Sequence, residues 1–292
     1  MAKPKLRHRL TSTLMNFERK QAGLERKVAD LGGLKMVYYE NKTPRTKPTL
    51  ILIHGYTADK TLWHRFAKSL ANDFHIIAPD MAGHGETPYD ANANYSIPTQ
   101  TAWLAKLLVH IGVDKAHIVG SSMGGFIAAN FAITHPQMTQ GVILLDPAGI
   151  NSPEPSDIAR IFTEQGQNMF LPETLAEFRE FFAMVMAKPP YMPKFILNTI
   201  GDNHIARRAA YEHIFNDFFD KDLLENKLKN LKAPALLIWG KQDRILHVSA
   251  APIWQAGIPN CQTVTMDDIG HVPSMEAQKR TITAMNDFLA AI

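Results

Sequence analysis

Ala116-His117-Ile118-Val119-Gly120-Ser121-Ser122-Met123-Gly124-Gly125 is an apolar run that stops abruptly in glycines and serines, then resumes as Phe126-Ile127-Ala128-Ala129-Asn130-Phe131-Ala132. It reads as strand, very sharp turn, helix. Gly120-x-Ser122-x-Gly124 fits a turn in which a strained serine needs nearly side-chain-free neighbours two residues away on either side, so that its hydroxyl projects from the top of a sheet. With 17 glycines in 292 residues, about 0.03 such matches are expected by chance. The competing reading is a glycine-rich connection with no chemistry. A base and an acid farther along the chain, in the right order, decide between them.

Working outward, Thr49-Leu50-Ile51-Leu52-Ile53-His54, Phe74 to Pro79, Gly141 to Asp146 and Ala235 to Gly240 are apolar runs of the kind buried on both faces of a parallel sheet. Residues 60–71 and 99–111 and the run after Ser122 are helical in pattern, and residues 248–257 and about 275–289 close the chain as helices around a last strand at 262–266. Strands and helices alternate at βαβ spacing, which predicts an α/β fold with a mostly parallel central sheet flanked by helices. The pattern breaks between residues 150 and 224. Six prolines (Pro153, Pro155, Pro172, Pro189, Pro190, Pro193) punctuate short helices crowded with Phe and Met, among them Phe181 and Phe182. That excess over one core stripe predicts an inserted helical cap whose adaptable apolar lining binds substrate, with Phe181 and Phe182 as candidates. The alternative is an extra helical layer. The expected organisation is therefore an arm at 1–30, a core at 31–149 and 225–292, and a cap at 150–224.

The net charge of +3 conceals an asymmetric chain, because residues 1–27 carry +6 and the rest −3. Leu6, Leu10, Leu14 and Phe17 recur at spacings of four, four and three, giving a basic amphipathic helix that either packs on the body or contacts a membrane surface. Basic residues interleaved with aromatics over a docking face are missing elsewhere, so nucleic acid is not an expected partner. No apolar run approaches the ~18 residues that span a bilayer, and residues 1–30 hold no continuous apolar signal core. The reading is a soluble protein, cytoplasmic or peripherally attached to a membrane. Cys261 stands alone, which rules out an intrachain disulfide.

A serine hydroxyl is a weak nucleophile near neutral pH and needs a base that is itself oriented by a third group. Asp243 and His271 both lie just past the carboxyl ends of expected strands, on the side where Ser122 emerges. The order Ser122, Asp243, His271 supplies nucleophile, acid and base. Asp146 also ends a strand and is the rival acid, and Asp267 and Asp268 lie beside His271 in its own loop. Backbone N–H groups at Met123 and at Tyr56, after His54-Gly55, would hold a developing oxyanion. This chemistry needs neither metal nor cofactor.

His54-Gly55-Tyr56, Asp80-Met81-Ala82-Gly83-His84-Gly85, Gly120-Ser121-Ser122-Met123-Gly124-Gly125, Trp239-Gly240-Lys241-Gln242-Asp243 and Gly270-His271 resemble the signatures of the α/β-hydrolase superfamily, in family order and over residues 22–292. Within it the chain looks most like bacterial lipases and esterases related to the abhydrolase-domain monoacylglycerol lipases. The resemblance implies carboxylic-ester hydrolysis, with monoacylglycerols or medium-chain esters as candidate substrates. Such relatives often carry a membrane anchor ahead of the matched region, where this chain has the basic helix. Siblings with an aspartate nucleophile are set aside by Ser122. Serine-dependent carbon–carbon bond hydrolases share the elbow and cap and would use cap arginines such as Arg160, Arg179, Arg207 and Arg208. A non-catalytic binding module of the same fold is the remaining alternative.

Overall fold

The computed structural model describes residues 6–292. Lys3 and Lys5 of the basic arm lie outside the described residues. Helix α1 (Leu6–Gln21) leads into a hairpin of β1 (Leu24–Asp30) and β2 (Lys35–Asn41), followed by β3 (Thr49–Ile53), α2 (His64–Leu70), β4 (His75–Pro79) and α3 (Ile97–His110). Then come β5 (Ala116–Ser121), α4 (Met123–Thr134) and β6 (Thr139–Leu145). Four helices follow without a strand, α5 (Asp157–Gln165), α6 (Leu175–Val185), α7 (Lys194–Ala206) and α8 (Arg208–Phe218). The chain ends with β7 (Ala235–Gly240), α9 (Ala251–Gly257), β8 (Cys261–Met266), α10 (Pro273–Glu276) and α11 (Gln278–Ala290).

The eight strands form one sheet in the order β1-β2-β4-β3-β5-β6-β7-β8, parallel from β4 through β8 and antiparallel at β1 and β2. Every residue of β3 is buried, because alternate side chains enter two different cores. Ile51 and Ile53 join Phe126, Trp239 and Trp254 on one face, whereas Leu50 and Leu52 join Phe66, Met285 and Phe288 on the other. From β3 the chain steps outward to β4, then crosses back to lay β5 on the opposite side of β3. That reversal opens a crevice at the carboxyl ends of β3 and β5, where open α/β sheets bind ligands.

Two departures from the sequence reading concern the first thirty residues. The arm does not run to residue 30, since Leu24–Asp30 is a full strand paired with β2. Its Leu24 and Ala29 are buried while Glu25, Arg26 and Lys27 face water, as befits a charged edge strand. Helix α1 packs on α7, β1 and α2, but through its polar side. Thr11 is buried and bonded to Thr199, Arg7 and His8 bond Asp202, and Glu18 pairs with Arg65. Leu6, Leu10, Leu14 and Phe17 are exposed, Leu6 by 73%, with exposed Arg9 and Lys20 beside them. Among the described residues no helix is long and apolar enough to cross a membrane.

Candidate active site

Register places the first two groups. Ile53 pairs with Gly120, so residues two further on, Gly55 and Ser122, leave the sheet side by side. A Cβ on Gly55 would stand 3.1 Å from Ser122 Cβ and 3.6 Å from its hydroxyl oxygen, which is why a glycine belongs there. Ser122 is held at φ 58°, ψ −121°, a conformation that costs a non-glycine residue roughly 1–3 kcal/mol and persists because its surroundings dictate it. A Cβ at Gly120 would overlap the Gly124 carbonyl, and one at Gly124 would overlap that of Ile53. The two glycines thus let the turn close, and Ser122 becomes the residue before α4. The Met123 N–H is among the first N–H groups of that helix, which have no carbonyl within it. Among the described residues the Tyr56 N–H has no backbone hydrogen-bond partner.

At the ends of β7 and β8 the structure brings Asp243 and His271 together. Asp243 Oδ2 accepts from His271 Nδ1 at 2.7 Å, and Oδ1 accepts from the N–H groups of Ile245 and Leu246 at 2.8 and 3.0 Å. Both side chains are buried. With Nδ1 donating, Nε2 is left to accept a proton. Ser122 Oγ itself makes no hydrogen bond to a protein group among the described residues. Of the other acids, Asp267 and Asp268 are exposed and pair with Lys241 and Lys188. Asp146 is fully buried and accepts from the Gly240 N–H at 2.8 Å.

Several supporting residues carried no role in the sequence reading. His54 Nδ1 donates to its neighbour Gly55 O at 2.8 Å, and its Nε2 accepts from Met81 N–H at 3.0 Å, so a neutral imidazole ties the loop of Tyr56 to the loop after β4. Burial holds its pKa below the ordinary histidine range, in keeping with that tautomer. Lys60 is buried with its ammonium on Asp80, at 2.5 Å, and on Glu86, at 2.8 Å. Asp80 also accepts the Lys60 and Glu86 N–H groups, which fixes the glycine-rich loop Asp80–Gly85 beneath the crevice. Glu276 accepts from Gly270 and Val272 on both sides of His271. A strand-end aspartate followed by glycines was the available signal for Asp80; nothing local marked Lys60 or Glu276.

The helices α5–α8 meet this crevice directly. The Tyr56 hydroxyl donates to Tyr211 O at 2.6 Å, and its ring lies 5.2–5.9 Å from those of Phe170, Tyr211, Phe215 and Phe218. His271 N–H donates to Val185 O at the end of α6. Phe181 touches Phe170, one ring removed from Tyr56, and Phe182 packs outside it against Phe178. A cleft of about 520 Å³ opens among α5, α6 and α8, floored by Phe162, Met169, Leu171 and Phe215 and edged by Arg208 and Glu212. Neither Phe181 nor Phe182 lines it, and neither do Ser122, Asp243 or His271.

A serine raised on a strained turn and a buried His–Asp pair past neighbouring strand ends suit acyl transfer. Comparison with known proteins agrees: residues 48–278 match the model of the alpha/beta hydrolase fold family, and the chain belongs to that family. Within it, this is a serine hydrolase acting on carboxylic esters. The protein named Lipase 1 of Psychrobacter immobilis is 32% identical, with 93% of this chain and 86% of that protein aligned. The Xenopus laevis protein named monoacylglycerol lipase abhd6-B is 29% identical over 94% of this chain and 85% of its own. A crystal structure described as a bacterial membrane phospholipase A superposes with a TM-score of 0.94 at 31% identity, covering 98% of this chain and 92% of that one. A 2-hydroxy-6-oxo-6-phenylhexa-2,4-dienoate hydrolase from Rhodococcus also superposes, with a TM-score of 0.76 over 91% of this chain and 99% of that one; at 20% identity the likeness is one of fold alone.

Proposed function

We propose that Ser122 attacks the ester carbonyl, His271 Nε2 takes the serine proton and passes it to the leaving alcohol, and Asp243 holds the imidazole in the required tautomer. The carbonyl oxygen, charged in the tetrahedral intermediate, sits between the N–H groups of Met123 and Tyr56. Water then releases the acyl group by the same relay. The observation that carries this reading is the buried 2.7 Å bond between His271 Nδ1 and Asp243, with Ser122 held at φ 58° after β5 supporting it. A fluorophosphonate should label one residue, Ser122, and Ser122→Ala should abolish label and turnover together. An adduct elsewhere would sink the assignment, and any Ser122-dependent turnover removes the binding-module alternative.

The substrates we infer are monoacylglycerols and short- to medium-chain esters, supported by the names of the relatives and by residues 150–224 acting as a cap. Each methylene buried in the aromatic lining contributes up to about 0.8 kcal/mol, so two more carbons raise kcat/KM roughly tenfold until the space is full. The optimum is expected at about six to ten carbons, and Phe170→Ala with Phe215→Ala, which removes two rings packed on Tyr56, should flatten the profile. A flat ester series with faster cleavage of a dienoate diketone would give the site to carbon–carbon hydrolysis instead.

We also propose that α1 rests on an anionic lipid surface. Its polar side is occupied by the body, and the outward face combines Leu6, Leu10, Leu14 and Phe17 with Arg9 and Lys20. The protein should co-sediment with phosphatidylglycerol vesicles at low salt and release as salt rises. Leu10→Ser with Phe17→Ser should lose that binding while hydrolysing soluble esters normally. Equal binding by this variant would leave α1 a packed arm.

A further inference from the structure

We propose that Asp146 is a protonated carboxylic acid that donates its O–H to Asp243, and so acts as the positioning residue behind the acid of the relay. The proposal rests on the Ser122–His271–Asp243 reading above. Strand β6 ends at Leu145, and Asp146 turns away at φ 44°, a left-handed conformation that aspartate and asparagine accept better than most residues. Its N–H donates to Ile238 O at 2.9 Å and its Oδ1 accepts from Gly240 N–H at 2.8 Å, so the residue bridges the ends of β6 and β7. Its Oδ2 is buried and has no donor among the described residues. One carboxylate oxygen of Asp146, one of Asp243 and a ring nitrogen of His271 all lie within 4.8 Å of one another.

Two buried carboxylates this close share a proton, and the donors around them decide which one keeps it. Asp243 receives three donors, from Ile245, Leu246 and His271. Asp146 receives one from a protein group, that of Gly240. The proton therefore belongs to Asp146, and pointing it at Asp243 satisfies the oxygen that otherwise has no partner. The groups facing Asp146 are Asp243 beyond β7, His271 beyond β8 and Glu276 on α10, and the two carboxylates reinforce the preference. Burial first, and then the Asp243 charge, push its carboxyl well above the usual range. No proton moves during turnover in this arrangement. The neutral donor fixes Asp243 and draws part of its charge away from His271, tempering the imidazole as a base.

The test uses the whole 292-residue chain. Asp146→Asn preserves an N–H donor for Asp243 and an acceptor for Gly240, so kcat/KM should stay within about threefold and the acid limb of its pH profile should not move. Asp146→Ala removes the donor. Its kcat should fall about ten- to hundredfold with KM unchanged, and the acid limb should rise by roughly half a pH unit to one unit, because an unshared Asp243 charge holds the imidazolium more firmly. If Asp146 were a second anion, both variants would lower the acid limb. A lowered or unmoved limb in Asp146→Ala, or an asparagine variant as impaired as the alanine one, overturns the proposal. Alanine is strained at φ 44°, so wild-type protein carrying [γ-13C]aspartate supplies an independent arm. One carboxyl resonance should keep its protonated position up to about pH 7 and vanish in Asp146→Asn. Its absence from the wild type refutes the idea whatever the kinetics, whereas turnover that survives Ser122→Ala would defeat the relay and leave this resonance in place.

Discussion

Lys60→Met should cost this protein about 3–4 kcal/mol of stability, and the figure follows from the burial of its partners. Lys60 is 2% exposed and Asp80 is 0%, with 2.5 Å between ammonium and carboxylate. Removing one member of a buried pair leaves the other as an uncompensated charge, which costs about 3–5 kcal/mol. Asp80 would keep the backbone donors of Lys60 and Glu86, which holds the loss toward the lower end. The second pair, with Glu86, adds at most about 0.5 kcal/mol, because Glu86 is half exposed and also paired with Arg26. Lys60→Met with Asp80→Asn should recover about 1–2 kcal/mol, since no charge is then stranded. Burial already pushes the Asp80 carboxyl above its ordinary value, against the pull of Lys60. Without the ammonium the folded state binds a proton more readily than the unfolded chain, so the deficit should shrink as pH falls from about 7 to about 5. Urea unfolding of the four proteins of this cycle, followed by tryptophan fluorescence at both pH values, measures each term. A single-variant loss below about 1 kcal/mol, or a double variant no better than Lys60→Met, would refute the reasoning.

Asp243→Asn should fold normally and lower kcat by about 10³- to 10⁴-fold, because an amide at Oδ2 favours the wrong tautomer of His271; steady-state ester hydrolysis checks this. His64 is buried with neither ring nitrogen partnered among the described residues, and burial lowers its pKa from 6.5 to about 4. The unfolded chain thus binds the extra proton between those values, so this contribution is complete above pH 6.5 and is lost as pH falls through about 4. Thermal melts should show His64→Leu losing up to about 2 kcal/mol less than wild type between pH 7 and pH 5. Gly124→Ala drives a methyl into the backbone carbonyl of Ile53, which cannot step aside, and should destabilise by about 1–3 kcal/mol while abolishing fluorophosphonate labelling.

The elbow was legible because its requirement is local: two glycines flank a serine where a strand becomes a helix. Strands β3, β4, β5, β6 and β7 were legible because two-sided burial leaves almost no choice but apolar residues. Strand β1 was not, since Leu24-Glu25-Arg26-Lys27-Val28-Ala29-Asp30 shows water most of its side chains and its pairing with β2 is invisible in its own pattern. Periodicity found the stripe of α1 but not its direction, because Thr11 and Glu18 find partners on the body that no local rule supplies. Among the acids, position after a strand marked both Asp146 and Asp243, and only the pairing of β6 beside β7 turns Asp146 toward Gly240 and leaves Asp243 to His271. Composition singles out Phe181 and Phe182, but it counts rings without saying which of them reach the crevice.

The bond from Tyr56 to Tyr211 ties readiness to access. Residue 56 follows Gly55, which packs against Ser122, and its hydroxyl grips α8, so this stretch joins two layers of the molecule. Any outward swing of α8 wide enough to admit an acyl chain must either break that 2.6 Å bond or drag the loop of residue 56 along with it. If α8 moves in this way, the open and the reactive arrangements would be distinct states joined by a latch. Tyr56→Phe would uncouple them, trading discrimination between esters for faster admission.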